Sequence, residues 1–315
     1  MSFRLVISNP CADNLAMSTG ETKETTTATT APDADGGEEH DQLSLLALRL
    51  VSHHKRMSLL RHILSFHKTR NPKDYINLRS SSKLFHSVLR PPPLWTSFPH
   101  SNHPTLQNLL DRLEDLQADK ESSGNVPSVL FIEEGEYGGD GRYVRVNIPL
   151  SIYGAGREKT TLVGVGLKIL GKKSDGMVEI GDLKIKGGDS WEKKASGLYA
   201  ERGMNVIMKG VSVEIHNQMG VYANGADISC DDLQVVGCGM SGVYAYTKST
   251  IMLSGQGTSI QENGTNGENY HYGLKAHTSS SNIQLVLPLT KEQISTNNGG
   301  GGNWGGNGTI KQVSK

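Results

Sequence analysis

The chain has 315 residues, with 32 basic and 32 acidic side chains, 37 glycines and three cysteines. The neutral total gives no case for a nucleic-acid partner, and no run of about 18 apolar residues exists to form a membrane helix. The three cysteines lack CxxC spacing, and the start lacks the apolar core of a secretory leader. The expected location is therefore the cytosol or the nucleus.

The first predicted region is a disordered tail over residues 1–40. It carries two basic and seven acidic side chains, and its middle consists mainly of Thr, Ala, Gly and acidic residues. Such a composition cannot bury enough apolar surface to offset the entropy that is lost on ordering.

Residues 41–100 are predicted to form a small helical segment of opposite charge, with ten basic and two acidic side chains. Apolar residues recur at helical spacing up to Phe66, and a second helical pattern runs from Ile76 to Leu89. The basic residues are scattered over these helices, which favours solvated surfaces over a nucleic-acid site. The histidines have no carboxylate or thiol beside them, so neither a metal nor a cofactor is expected.

Three short strings in this segment resemble the F-box and keep its order: Ile63-Leu64-Ser65-Phe66, Ser82-Lys83-Leu84-Phe85 and Leu94-Trp95. The resemblance implies docking on the adaptor subunit of an SCF-type cullin–RING ubiquitin ligase, while a second domain holds the substrate. The implied adaptor contacts are Leu59, Leu60, Ile63, Leu64, Leu94 and Trp95. The leading Leu-Pro of the F-box is missing, and a helical bundle packed on the next domain would use the same apolar residues.

Residues 101–124 are predicted to hold a capping helix and a linker. Leu106, Leu109, Leu110 and Leu113 fall on one helical face, with charged residues on the other. Because an open coil end exposes apolar core and strand edges, this helix is expected to cover the first coil of the following domain.

Over residues 125–315 the period changes to that of short strands, and a four-residue string recurs. Its glycines are 23, 22 and 31 residues apart. A repeat of roughly 20–25 residues with three short strands predicts a solenoid. The strong copies are Gly197-Leu198-Tyr199-Ala200, Gly220-Val221-Tyr222-Ala223, Gly242-Val243-Tyr244-Ala245 and Gly273-Leu274-Lys275-Ala276, and a weaker copy is assigned to Met177-Val178-Glu179-Ile180.

Alternation along a strand gives each copy two inward residues and one outward residue. If each repeat is one coil, equivalent positions stack about 4.8 Å apart. The outward positions are then predicted to form one exposed ladder. Tyrosine rings in it suit sugar stacking or a protein partner, although they can also simply stack on one another. The predicted ladder is Glu179, Tyr199, Tyr222, Tyr244 and Lys275.

Three parallel strands per coil predict a mainly β fold, a right-handed parallel β-helix of about six or seven coils. Two stretches, residues 131–137 and 148–156, resemble the first strand and the second-coil run of the pectin-lyase-like superfamily. An antiparallel sandwich is the alternative, but it would not explain the constant phase of the repeat.

The superfamily contains polysaccharide lyases, hydrolases and esterases, so the resemblance raises the question of catalysis. Asp231-Asp232 resemble one hydrolase string, but its later G-H-G partner is absent. Glu179 and Glu201 are the best-placed carboxylates for acid–base work, and solvated surface residues explain them equally. We expect a non-catalytic recognition protein with a protein or glycan partner. The alternative is a carbohydrate-active lyase or hydrolase.

Overall fold

A computed structural model of the chain describes residues 94–119, 126–188 and 195–314. In these ranges the chain winds through three parallel sheets in rotation, so that each coil stacks on the one before. The described helices are α1 (Leu106–Ala118) and the short α2 (Lys291–Ile294), with one 3-10 turn at Lys173–Asp175. No helix in these ranges is long and apolar enough to span a membrane.

The strands are short, mostly of three to five residues. In chain order they are β1 (Trp95–Phe98), β2 (Val129–Ile132), β3 (Gly135–Gly138), β4 (Tyr143–Val146), β5 (Leu150–Gly154), β6 (Thr160–Val163), β7 (Gly166–Ile169), β8 (Met177–Gly181), β9 (Lys184–Lys186), β10 (Leu198–Glu201), β11 (Asn205–Lys209), β12 (Ser212–Glu214), β13 (Val221–Asn224), β14 (Asp227–Asp231), β15 (Gln234–Val236), β16 (Val243–Tyr246), β17 (Thr250–Ser254), β18 (Ser259–Gln261), β19 (Tyr272–Ala276), β20 (Asn282–Val286), β21 (Ser295–Thr296), β22 (Gly302–Gly305) and β23 (Thr309–Val313).

Every third strand belongs to the same sheet. Sheet 1 contains β1, β2, β5, β8, β11, β14, β17, β20 and β23, sheet 2 runs from β3 to β21, and sheet 3 runs from β4 to β22. Strands β2 to β22 of the described chain therefore make seven coils, with β1 and β23 as one additional strand at each end of sheet 1. This confirms the predicted mainly β, parallel solenoid. The right-handed sense of its winding stays a prediction.

The core is a set of inward columns in which equivalent residues of neighbouring coils face each other. Burying one such apolar side chain contributes about 1.5–3 kcal/mol. In sheet 3 the two buried columns are Leu198, Val221, Val243 and Leu274, and Ala200, Ala223, Ala245 and Ala276.

At the corner between sheets 1 and 2, a single residue with left-handed backbone angles turns the chain. The residue directly after β8, β11, β14 and β17 has a φ between 54° and 86°. Glycine and short polar residues tolerate this conformation, which explains the residue types found there. These residues are Asp182, Gly210, Asp232 and Gly255.

Helix α1 closes the first coil, as the leucine spacing predicts. The side-chain oxygen of Thr105 accepts a hydrogen bond of 3.1 Å from the Asn108 amide and caps the helix start. Four leucines of α1 are buried in the same core cluster as Leu130 and Ile132 of β2.

One repeat assignment from the sequence is wrong. The string that contains Glu179 lies in β8 of sheet 1, where Glu179 pairs with Ile207 rather than with Tyr199. The position beside Tyr199 is held by Lys168 of β7. Alternation alone produced the error, since strands of all three sheets alternate in the same way.

The predicted tail over residues 1–40 and the proposed adaptor contacts Leu59, Leu60, Ile63 and Leu64 lie outside the described residues. Of the remaining two contacts, Leu94 is 47% exposed. Trp95 begins β1 and pairs with Val129, so it is part of sheet 1.

Candidate functional site

The outer side of sheet 3 carries a row of tyrosines between cationic side chains. Strand pairing places six residues from successive coils in one column: Arg145, Lys168, Tyr199, Tyr222, Tyr244 and Lys275. We call the surface formed by this column and its outward neighbours the tyrosine face. Four of the five predicted ladder residues lie on it, and Glu179 does not.

The glycine that opens each repeat is required by space rather than by its backbone angle. A Cβ on Gly197 would lie 2.1 Å from Val213 Cγ1, and one on Gly220 would lie 2.2 Å from Val235 Cγ1. Neither glycine has a positive φ. The chain can therefore enter sheet 3 close against sheet 2, after which alternation turns the tyrosine outward.

The tyrosine rings cover one another's faces. The ring centroids of Tyr199 and Tyr222 are 4.8 Å apart with an interplanar angle of 24°, and those of Tyr222 and Tyr244 are 5.0 Å apart at 46°. Tyr244 is only 9% exposed. The ring faces that were predicted to be exposed are thus covered by neighbouring rings. The hydroxyl edges are the part of the column that a partner can contact.

Cations cover the two ends of the tyrosine stack. Lys168 Nζ lies 5.1 Å from the ring centroid of Tyr199 and 3.4 Å from a carboxylate oxygen of Glu201. At the other end, Lys275 Nζ lies 5.2 Å from the Tyr244 centroid. An ammonium over an aromatic face contributes about 0.5–2 kcal/mol, depending on how far it is desolvated.

Lys275 is enclosed further by the insertion between β18 and β19. The ring centroids of Tyr270 in the insertion and of Tyr272 at the start of β19 lie 5.4 Å and 5.8 Å from its Nζ, which also donates a hydrogen bond to the Tyr270 carbonyl. The side chain is 6% exposed, and burial lowers its pKa. The insertion thus closes one end of the tyrosine face.

A second outward column of polar groups runs beside the tyrosines. Asn224 Nδ2 lies 3.4 Å from the Tyr199 hydroxyl, and the Tyr246 ring lies 5.2 Å from the His277 ring. Burial, followed by the charge of Lys275, lowers the pKa of His277. The column therefore adds an amide, a phenol and an imidazole to the tyrosine hydroxyls.

The hydroxyls of Tyr222 and Tyr244 keep their protons at neutral pH. Burial raises the pKa of Tyr244 to about 12 and also raises the pKa of Tyr222. Because a phenol donates and accepts hydrogen bonds, these two residues present neutral polar groups rather than phenolates.

The best-placed carboxylates do not form an acid–base pair. Glu179 lies on sheet 1 with its carboxylate 2.6 Å from Lys209 Nζ, whereas Glu201 lies on sheet 3 beside Lys168. Each carboxylate is thus engaged by its own lysine on its own sheet. No group of three His, Cys, Asp or Glu residues in the described chain is arranged to hold a metal ion.

A separate cleft of about 930 Å³ lies between α1 and strands β3 and β4. Phe98, Leu162 and Val165 contribute to its apolar wall, while Glu136 and Arg145 bring opposite charges. Patterning could not reveal this cleft, because it depends on how the capping helix sits against the first coils.

Lys168 could have been recognised from the sequence. Gly166-Leu167-Lys168-Ile169 differs from the fourth strong copy only in its last residue, and it begins 31 residues before Gly197. Tyr246 and His277 follow directly after the repeated string, so the sequence predicts them as neighbours of the ladder.

The chain matches no family model, no curated protein and no solved structure.

Proposed function

We propose that the chain is a non-catalytic recognition protein of the cytosol or nucleus that binds a protein or glycan partner on the tyrosine face. The observation that carries this proposal is the row of tyrosine hydroxyls from successive coils, held between Lys168 and Lys275. The groups sit on strands rather than on loops, so their positions change little when a partner binds.

The arrangement supports recognition by hydrogen bonds more than by ring stacking. The faces of Tyr199 and Tyr222 are directed at each other, so a sugar or a peptide would meet hydroxyl edges. Asn224 and His277 extend this polar rim, and the lysines at the two ends lie over the outer ring faces of the stack.

The N-terminal part of the proposal rests on resemblance. The F-box-like strings support docking of residues 59–98 on the adaptor of an SCF-type ubiquitin ligase, with the coil as the substrate receptor. Likewise, the strings at residues 131–137 and 148–156 support membership in the pectin-lyase-like superfamily, whose β-helices are right-handed.

Removing two hydroxyls while keeping their rings tests the tyrosine face. Tyr222→Phe with Tyr244→Phe should weaken retention on a panel of immobilised acidic and neutral oligosaccharides and peptides by about tenfold, since each lost hydrogen bond costs about 0.5–1.5 kcal/mol. Tyr153→Phe is the matched control, because Tyr153 faces outward on sheet 1. Equal retention of the double variant and the control on every ligand that the wild type holds would overturn the proposal.

The competing function is a carbohydrate-active lyase or hydrolase of the same superfamily. Among the described residues, the two candidate carboxylates lie on different sheets and are both paired with lysines. Release of unsaturated or reducing sugar from uronate polymers by the purified chain would favour the enzyme over the recognition protein.

A further inference from the structure

Strand β2 is buried on both of its faces, although only one faces the core. Leu130 and Ile132 point inward and join the core cluster. Val129 and Phe131 alternate with them and point outward, yet they are 9% and 3% exposed and are not part of that cluster. An outer layer must therefore cover them.

Among the described residues, neither the strands beside β2 nor helix α1 provides such a layer. The strands beside β2 are β1 and β5, which flank it within sheet 1 and cover neither of its faces. Helix α1 packs on the inner side, since its leucines belong to the same buried cluster as Leu130 and Ile132. The apolar outer patch, as we call it, consists of Trp95, Val129, Phe131 and Tyr153, which are neighbours across three adjacent strands.

We infer that the outer patch is a docking surface for residues 57–93 of the same chain. This stretch ends immediately before Leu94, whose carbonyl oxygen accepts hydrogen bonds from the amides of Ser128 (2.8 Å) and Val129 (3.3 Å). The chain therefore arrives at the patch itself, so docking costs little loop entropy.

Composition and distance along the chain argue against the other stretches outside the described ranges. Residues 120–125 contain no large apolar side chain, and residues 18–39 consist mainly of Thr, Ala, Gly and acidic residues. Residues 1–17 and 41–56 carry apolar side chains but lie further along the chain from Leu94 than residues 57–93 do. Residues 189–194 join β9 of sheet 2 to β10 of sheet 3, away from the outer side of sheet 1. Residues 57–93, by contrast, carry apolar positions at helical spacing outside the proposed adaptor contacts, such as Phe85 and Leu89.

Hydrogen exchange on the full chain tests the inference. In the wild type, amides of residues 57–93 should exchange more slowly than those of residues 1–40. Phe131→Ser should speed the exchange of 57–93 by about tenfold or more, because a polar residue replaces a buried ring at the contact. Ile207→Ser is the matched control, since Ile207 faces outward on the same sheet two coils beyond β5.

Exchange in β11 to β20 reports whether the coil itself stays folded, and Val129→Ser serves as the variant if Phe131→Ser disrupts it. Three results would overturn the inference. Residues 57–93 could exchange as fast as the tail in the wild type, or they could keep their protection in both patch variants. The third is protection that rises with protein concentration, which would assign the patch to a second copy of the chain.

Discussion

His216 sits at the corner between sheets 2 and 3, where the coil interior controls its charge. Its ring nitrogens lie 3.3 Å from the Ala195 carbonyl oxygen and 3.4 Å from the Ile185 carbonyl oxygen. The two carbonyls favour the protonated ring, but burial outweighs them and lowers the pKa to about 4. The folded chain therefore holds this imidazole neutral at pH 7.

Stability should consequently fall on acidification. Between about pH 6.5 and pH 4 the unfolded chain binds a proton at His216 that the folded chain excludes, so unfolding becomes easier as the pH decreases through this window. The loss is about 3 kcal/mol on complete titration. Urea unfolding at pH 7 and pH 4 should show a smaller pH effect in His216→Asn than in the wild type.

Asparagine is a suitable replacement because the corner already uses it. Asn263 occupies the equivalent position two coils later, two residues after β18, and its Nδ2 donates a 3.2 Å hydrogen bond to the Val235 carbonyl, the counterpart of Ile185. An identical pH dependence in both proteins would show that other groups dominate acid unfolding.

At the scale of the strand, two glycines that each precede a strand of the repeat are required for different reasons. Gly176, before Met177, has a φ of 130°, so a backbone conformation requires it. Gly197 has no positive φ, and the nearby Val213 side chain leaves no room for a Cβ. Alternation predicted the strand at Met177 correctly but could not assign its sheet, which explains why Glu179 was misplaced.

Filling the corner at Gly220 should destabilise the coil. In Gly220→Ala the new Cβ would lie 2.2 Å from Val235 Cγ1 and 2.7 Å from the Gly242 carbonyl oxygen. Overpacking of this kind costs about 1–3 kcal/mol, measured as a lower denaturant midpoint. Gly138→Ala is the control, since no described heavy atom lies within 4 Å of its added Cβ. Equal midpoints for the two variants would contradict this account of the repeat glycine.

At the scale of the whole molecule, sequence periodicity predicted the features that follow from the regular spacing of apolar residues. The inward Leu/Val and Ala columns, the three strands per coil and the capping leucines all follow from spacing. The ring-on-ring stacking of Tyr199 and Tyr222, the enclosure of Lys275 and the cleft beneath α1 do not. They depend on side-chain conformations and on the path of an insertion, which alternation does not encode.

The link between the coil and a ubiquitin ligase is a prediction at this scale. The full chain should retain the purified adaptor subunit of an SCF ligase, and Leu64→Ala should weaken retention by about tenfold, as expected for a buried apolar contact. Trp95 is unsuitable for this test because it belongs to sheet 1. Leu89→Ala is the control within the same segment. Absence of retention by the wild type would rule out the F-box role.

The constant distance between coils has a consequence for the kind of partner that the tyrosine face selects. Backbone pairing sets Tyr199, Tyr222 and Tyr244 at one pitch of about 4.8 Å, and their ring centroids are 4.8 Å and 5.0 Å apart. A ligand whose own chemical groups repeat at a commensurate distance can engage all three, whereas a single unit of it engages one. The tyrosine face therefore selects ligands by their length. Affinity should increase steeply with the number of repeats in the ligand and level off once the ligand spans the row.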